Sequence, residues 1–258
     1  LSACGAKITG VIAALPAEGR CLGERQPPRS RTLAPELLVR ISGIGLERAA
    51  RAARQRLAAG AGALLCFGVS GALDPTLRCG DIVLAAEVLS AAQAGSIPGH
   101  ECATFSRIRT AAEWRRGLAE RLASRGPVHI GAIVTCQQLI DSRQRKQQLF
   151  ARSGAIAVDM ESAAVARVAQ EHDVPFMALR VIADTAQDAL PSALHAALGH
   201  GAADAAGARF WWSLLSAPSA WPGLARLGRR YRHACGVLTR CGRAGVAWAE
   251  CAGAPRPA

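Results

Sequence analysis

Apolar residues along this chain fall into two alternating patterns, short dense aliphatic runs and longer stretches where they recur every three or four positions. KITGVIAAL (Lys7 to Leu15) reads as a first buried strand, and Pro16 after it marks a turn that places Glu18 just past the strand end. Gly23 to Ser30 is polar and proline-bearing, a surface loop. LLVRISGIG (Leu37 to Gly45) is a strand running into a glycine turn, and LERAARAARQRLAAG is an alanine-rich helix closed by Gly60. ALLCFGVSGAL carries a second glycine turn on a further buried strand, and GDIVLAAEVL opens the next. TAAEWRRGLAERLAS is an amphipathic helix, GAIVTC a strand, and DSRQRKQQLFARSG a charged surface helix.

The stretch Ala155 to Ala189 concentrates the chemistry. AIAV and FMALRVIA read as buried parallel strands, and ESAAVARVAQEH between them sets Ala164, Val165, Val168 and Ala169 at helical spacing. Glu161 and Asp184 stand at the ends of these strands, and ligands of open α/β sheets gather beyond carboxyl ends. Repeated strand and helix over 258 residues imply an α/β domain, 1–204, followed by a helical extension, 205–258. In the extension, WPGLARLGRRYRHACGVLTR has Leu224, Leu227, Tyr231, Ala234 and Leu238 on one stripe, with arginines between them and Pro222 suited to the first turn. Such a basic amphipathic helix serves either packing against the core or contact with a surface.

Charge sharpens that choice without settling it. The net charge of +12 is carried almost wholly by arginine, since only Lys7 and Lys146 are lysines. Arginine richness by itself can reflect a GC-rich genome. Its distribution is uneven, however: Ala205 to Ala258 holds eight arginines against one acidic residue, Glu250, and four of the five tryptophans. No aromatic-basic RNA signature accompanies this charge in the core, so no nucleic-acid partner is expected. The nine cysteines occur singly, which implies reduced thiols and neither a disulfide framework nor a zinc site. His195 and His200 lack companion ligands, so no metal is expected. The chain begins at Leu1 with no signal-like segment and contains no apolar run of about 18 residues. A cytoplasmic protein is expected, with peripheral contact of 205–258 on the inner face of an anionic membrane as a further expectation.

Four segments in register resemble the purine nucleosidase and nucleoside phosphorylase superfamily: GVIAALPAEG, ISGIG, CFGVSGALDPTLRCGDIVLA, and the Met160-Glu161 and Ala183-Asp184 pairs. They cover roughly the first 190 residues. The resemblance implies a phosphorylase/hydrolase-like α/β fold, a central mixed sheet flanked by helices with a C-terminal helical extension, and a homodimer or higher homo-oligomer. It assigns water activation to Glu18, general acid to purine N7 to Asp184, and the ribose hydroxyls to Glu161, with Met160 packed on the sugar. Val69, Ser70, Gly71, Leu139, Ile140 and Ala183 would line the substrate, and Gly43 and Gly45 would turn backbone N–H groups toward it. No cofactor is implied, apart from phosphate as co-substrate in a phosphorylase.

Physical chemistry fits these roles. A leaving purine must be protonated, and desolvation at the end of an apolar strand is one way to raise the pKa of Asp184 far enough. Glu161 at a helix start would be kept ionised by the macrodipole, ready to accept two hydroxyl hydrogen bonds. Departures bear on the nucleophile and the base. Phosphorylases place an arginine and a hydroxyl residue where this chain has Cys66 and Val69, which favours water, although Ser70, Arg40 or Arg78 could substitute. Leu139 replaces an aromatic residue that stacks on the base, and Ala183 replaces a serine. Arg180, a charge within an apolar strand, is expected to be paired and structural.

AVDMESAAVA, the ADTAQDALP ending and the basic tail resemble the hopanoid-associated phosphorylase branch, which implies adenosylhopane, a lipid-linked adenosine, as substrate. Methylthioadenosine/S-adenosylhomocysteine hydrolysis and phosphate-dependent purine nucleoside cleavage stand as alternatives. In another class, a non-catalytic nucleotide- or nucleic-acid-binding protein would explain the charge; adenine release separates it from an enzyme.

Overall fold

The computed structural model describes residues 8–23, 37–91, 105–190, 221–248 and 251. In chain order it contains β1 (Thr9–Ala13), α1 (Pro16–Arg20), β2 (Leu37–Ile41), α2 (Leu46–Ala58), β3 (Ala63–Ala72), β4 (Ile82–Ala91) and β5 (Phe105–Arg109). There follow α3 (Ala112–Leu122), β6 (Val128–Thr135), α4 (Arg143–Ser153), β7 (Ala157–Asp159), α5 (Ser162–Glu171), β8 (Phe176–Asp184) and α6 (Trp221–Ala244). The expected loop as far as Ser30, both His195 and His200, and Phe210, Trp211 and Trp212 lie outside the described residues, as do the side chains of Trp221 and Leu224.

Eight strands form one mixed sheet in the order β2-β1-β3-β7-β6-β4-β5, with β8 joined to both β3 and β4. The two ten-residue strands make this possible, because each is long enough to serve two partners along one edge. On β3, β1 occupies Ala63 to Cys66 and β7 occupies Gly71 and Ala72, while β8 runs along the opposite edge. On β4, β8 and β5 share one edge and β6 takes the other. Hydrogen bonding therefore closes a ring through β3, β8, β4, β6 and β7. Irregularities between Ser70 and Gly71 and between Ala85 and Glu87 interrupt the pairing of the long strands, and such bulges bend a strand.

The β7-α5-β8 unit differs from a simple parallel pair. β8 is parallel to β3 but β7 is antiparallel to it, so the two strands flank β3 in opposite senses and do not pair with each other. β7 has three residues and pairs with the far end of β3. Glu161 therefore reaches the site from a strand that runs against the one bearing Asp184.

Alternation along the strands divides the core. Leu65, Phe67, Leu84, Leu179 and Val181 pack with α3 and α6, whereas Leu64, Cys66, Val83, Ala178 and Ile182 pack with α2 and α5. Helix α6 is part of this packing. Ala234, Val237, Leu238 and Cys241 are buried in the first cluster, while Arg226, Arg229, Arg232, Arg240 and Arg243 are exposed. Of the two readings open for this helix, its apolar face takes packing against the core. The segment after it is sewn in as well: Trp248 stands edge-on to buried Trp114 at 5.5 Å, Trp114 Nε1 donates to Val246 O at 3.0 Å, and Trp248 N–H donates to Thr9 Oγ1. No helix among the described residues is long and apolar enough to cross a membrane.

Leu238→Ala should therefore cost about 2–5 kcal/mol of stability, and Arg240→Ala less than about 0.5 kcal/mol. Urea unfolding of the two variants beside the parent measures both.

Candidate active site

All nine residues of β8 are buried, and Arg180 lies in the middle of them with 1% of its surface exposed. A guanidinium so placed must be neutralised on the spot. Arg180 Nε donates to Asp159 Oδ2 at 2.9 Å, and Nη2 reaches the same oxygen at 2.6 Å, Cys66 Sγ at 3.0 Å and Ser162 Oγ at 3.1 Å. Glu161 Oε2 stands 3.7 Å from Nη2. Burial would lower the Arg180 pKa, but the ring of Asp159, Cys66, Glu161 and Glu18 raises it instead. The expected pairing is present, and it places Arg180 inside the site rather than apart from it.

Asp159 holds the other side of this arrangement. Its Oδ1 accepts from Thr135 Oγ1 at 2.7 Å and from the N–H groups of Glu161 and Ser162 at 3.4 and 3.3 Å. Asp159, and not Glu161, thus supplies the side-chain acceptor at the start of α5.

That leaves the Glu161 carboxylate free to point elsewhere. Oε1 accepts from Gly45 N–H at 3.0 Å, in a turn where Gly43 and Gly45 have φ of 78° and 109° and a side chain would be strained. Burial raises the Glu161 pKa to about 7, with Arg180 opposing and Asp159 and Glu18 adding to the rise. Desolvation thus pushes this carboxyl in the direction opposite to the one expected from the helix dipole.

Glu18 lies in the five-residue α1, opened by Pro16 directly after β1. Its Oε2 accepts from Leu15 N–H and its Oε1 from Val69 N–H, each at 2.9 Å. Burial raises its pKa, opposed by Arg180 and by the N–H groups of Val69, Leu15 and Ala14. Gly68 is what lets these groups meet, because a Cβ there would lie 2.6 Å from Glu18 Oε1 and 2.7 Å from Arg180 Nη1. Tyr231 of α6 reaches the same neighbourhood: burial and the Glu18 charge both push its phenol up.

Asp184 ends β8 opposite Gly71, where a Cβ would sit 3.1 Å from Oδ2. Its partner is Lys146, a residue with 0% exposure that ion-pairs with Oδ2 and donates to Thr185 O at 2.8 Å. Burial raises the Asp184 pKa and Lys146 opposes the rise. The charged helix α4 is therefore not wholly a surface helix. The following turn is clamped from two sides: Arg143 donates to Gln187 O at 3.0 and 2.8 Å, and Arg230 of α6 pairs with Asp188. Burial would raise Asp188, but Arg230 and Thr185 hold it well below the usual carboxylate range.

The remaining expected residues divide. Val69 is half-buried beside Glu18, and Ala183 is buried next to Asp184. Ser70 is buried and its Oγ has no hydrogen-bond partner among the described residues. Met160 and Leu139 are half-buried, and Ile140 packs with Leu73, Leu89 and Phe150 in a small apolar cluster. Arg40 and Arg78 are exposed. Lys146 was missed from sequence, although a lysine in a chain whose cations are nearly all arginine was a usable signal.

The sequence profile of the Phosphorylase superfamily matches residues 31–209. Aminodeoxyfutalosine nucleosidase of Helicobacter pylori is 34% identical over 142 residues, 51% of this chain and 60% of that protein. The 5'-methylthioadenosine/S-adenosylhomocysteine nucleosidase of Staphylococcus aureus is 27% identical over 125 residues, 46% of this chain and 55% of that protein. The matched part thus spans less than two thirds of these curated relatives. Among solved structures, the methylthioadenosine/S-adenosylhomocysteine nucleosidase of Helicobacter pylori superposes with a TM-score of 0.63 at 21% identity, covering 92% of this chain and 98% of that one. The enzyme of the same name from Neisseria meningitidis gives 0.65 at 18% identity, covering 92% and 97%. These likenesses show the fold.

Raising a buried carboxyl from 4.5 to about 7 makes the ligand-free protein bind a proton more tightly folded than unfolded, so this contribution to stability is present below about pH 4.5 and lost as pH rises through about 7. Glu161→Gln should flatten the fall in melting temperature across that window. Thermal melts of parent and variant between those limits provide the check.

Proposed function

The chain belongs to the Phosphorylase superfamily, and on that premise we propose that it cleaves the N-glycosidic bond of an adenine-type nucleoside by attack of water. The observation that carries this reading is the set of three buried carboxylates with raised pKa, Glu18, Glu161 and Asp184, each with a different partner. Glu18 takes a proton from water as its oxygen attacks C1′ of the sugar. The bond from C1′ to N9 breaks, its electrons pass to the purine, and Asp184 delivers its proton to N7. Glu161 accepts hydrogen bonds from the ribose hydroxyls, a task for which its ionised form above about pH 7 has two oxygens. One proton leaves Asp184 and one arrives on Glu18, and solvent resets both.

Water is favoured over phosphate by the state of the second glycine turn. The Cys66 thiol faces Arg180 and is pushed up to about 12 by burial, so it offers no charge to an anion. Arg180 is already engaged by Asp159, Ser162 and Glu161, and Arg40 and Arg78 are exposed.

For the substrate, the finer reading is an adenosine joined to a hopanoid lipid, supported by the sequence resemblance in AVDMESAAVA and ADTAQDALP. Contact with an anionic bilayer would rest on the exposed arginines of α6, each contributing roughly 1 kcal/mol near such a surface, since the apolar stripe is turned inward. Methylthioadenosine, S-adenosylhomocysteine and aminodeoxyfutalosine are the alternatives that the relatives' names suggest.

Asp184→Asn should lower adenine release by about 10²- to 10⁴-fold, as expected for loss of a general acid. In phosphate buffer the parent enzyme should yield free sugar and no sugar 1-phosphate, which mass spectrometry of the product distinguishes. A panel of the four nucleosides, run with and without phosphate, ranks the substrates; near-normal turnover by the asparagine variant would remove Asp184 from the mechanism.

A further inference from the structure

Lys146 is the one buried lysine among the described residues, and it comes from a helix whose other cations, Arg143, Arg145 and Arg152, remain outside the core. Its place is fixed at both ends. Ser142 caps α4, accepting from Arg145 N–H at 3.2 Å through its side chain and from Lys146 N–H at 3.0 Å through its carbonyl. The ammonium is held between Asp184 Oδ2 and Thr185 O. Burying an ammonium is costly, and a lysine that only filled space would be replaced by an apolar residue without loss.

We propose that Lys146 is a positioning residue for the acid: its ammonium donates to Oδ2 of Asp184, so the proton to be transferred resides on Oδ1, the oxygen left to face the purine. The inference rests on the reading of Asp184 as the proton donor. An oxygen that accepts from an ammonium is a poor place for a proton, which selects between two otherwise similar forms of the carboxylic acid. As the proton passes to N7, negative charge appears on Asp184, and the ammonium already stands where that charge develops.

The other groups facing Asp184 do not duplicate this effect. Asp188 in the following turn and Arg230 of α6 are paired with each other, so their charges largely offset, and Cys79 between β3 and β4 is a thiol whose pKa is raised by burial. Lys146 is the cation bonded directly to the carboxylate.

The test follows adenine release from methylthioadenosine across pH for the parent, Lys146→Gln, Lys146→Arg and Asp184→Asn. Without the ammonium, the main opposition to burial at Asp184 is gone, so the alkaline limb of kcat/KM should move upward by about one unit or more in Lys146→Gln. Turnover should fall roughly 10- to 100-fold with little change in KM. Lys146→Arg keeps the charge and should restore the limb. A Lys146→Gln limb that stays in place while Asp184→Asn is inactive overturns the proposal; a fully active Asp184→Asn defeats the acid assignment instead. Stability supplies an independent reading should Lys146→Gln fail to fold or the nucleoside not be turned over. Asp184→Asn leaves a buried ammonium without its counter-ion, so adding Lys146→Gln to it should raise the melting temperature. A double variant no more stable than Asp184→Asn alone would show that the pair does not exist and would end the proposal.

Discussion

A buried guanidinium organises this molecule. Arg180 lies in a strand that is apolar apart from Asp184 at its end, and a charge there is tolerated only if counter-charges surround it at hydrogen-bond distance. Meeting that requirement draws Asp159 from β7, Ser162 and Glu161 from the start of α5, and Cys66 from β3 onto one point of β8. Strands that run in opposite senses are thereby locked together beside the ends of β1 and β2. The site is the place where this neutralisation occurs, so its geometry and the stability of the ring of strands are a single problem.

The three carboxylates illustrate how partners divide labour among chemically equivalent groups. All are buried and all are raised by desolvation. Glu18 is held by two backbone N–H groups, which fix both oxygens; Glu161 is held by one, which leaves its second oxygen near Arg180; Asp184 is held by an ammonium. Glycine makes each approach possible. Gly68 admits Glu18, Gly71 admits Asp184, and the positive φ of Gly45 turns its N–H toward Glu161.

Helix α6 joins core and site. Its apolar stripe completes the cluster under β8, while Arg230 and Tyr231 reach the surroundings of Asp188 and Glu18. Arg226, Arg229, Arg232, Arg240 and Arg243 remain in solvent, which separates the packing function of the helix from its charged face.

Much of this was legible along the chain, for local reasons. Most strands and helices followed from runs of aliphatic residues and their helical spacing, but β5, short and largely exposed, did not, and Pro16–Arg20 is a helix where a turn was expected. Glu161 and Asp184 stood out at strand ends, whereas Glu18 was singled out through the resemblance carried by GVIAALPAEG. Apolar periodicity also announced the stripe of α6. What one dimension could not show was direction and partnership. The direction of β7 on β3 is not set by its own three residues, and the pKa of Glu161 depends on how completely Asp159, Arg180 and Glu18 are enclosed with it. The placing of Lys146 against Asp184, 38 residues further on, depends on how α4 packs against the end of β8. Local patterns are set by the neighbours of a residue in sequence, whereas desolvation and ion pairing are set by its neighbours in space, and only the closed ring of strands decides who those are.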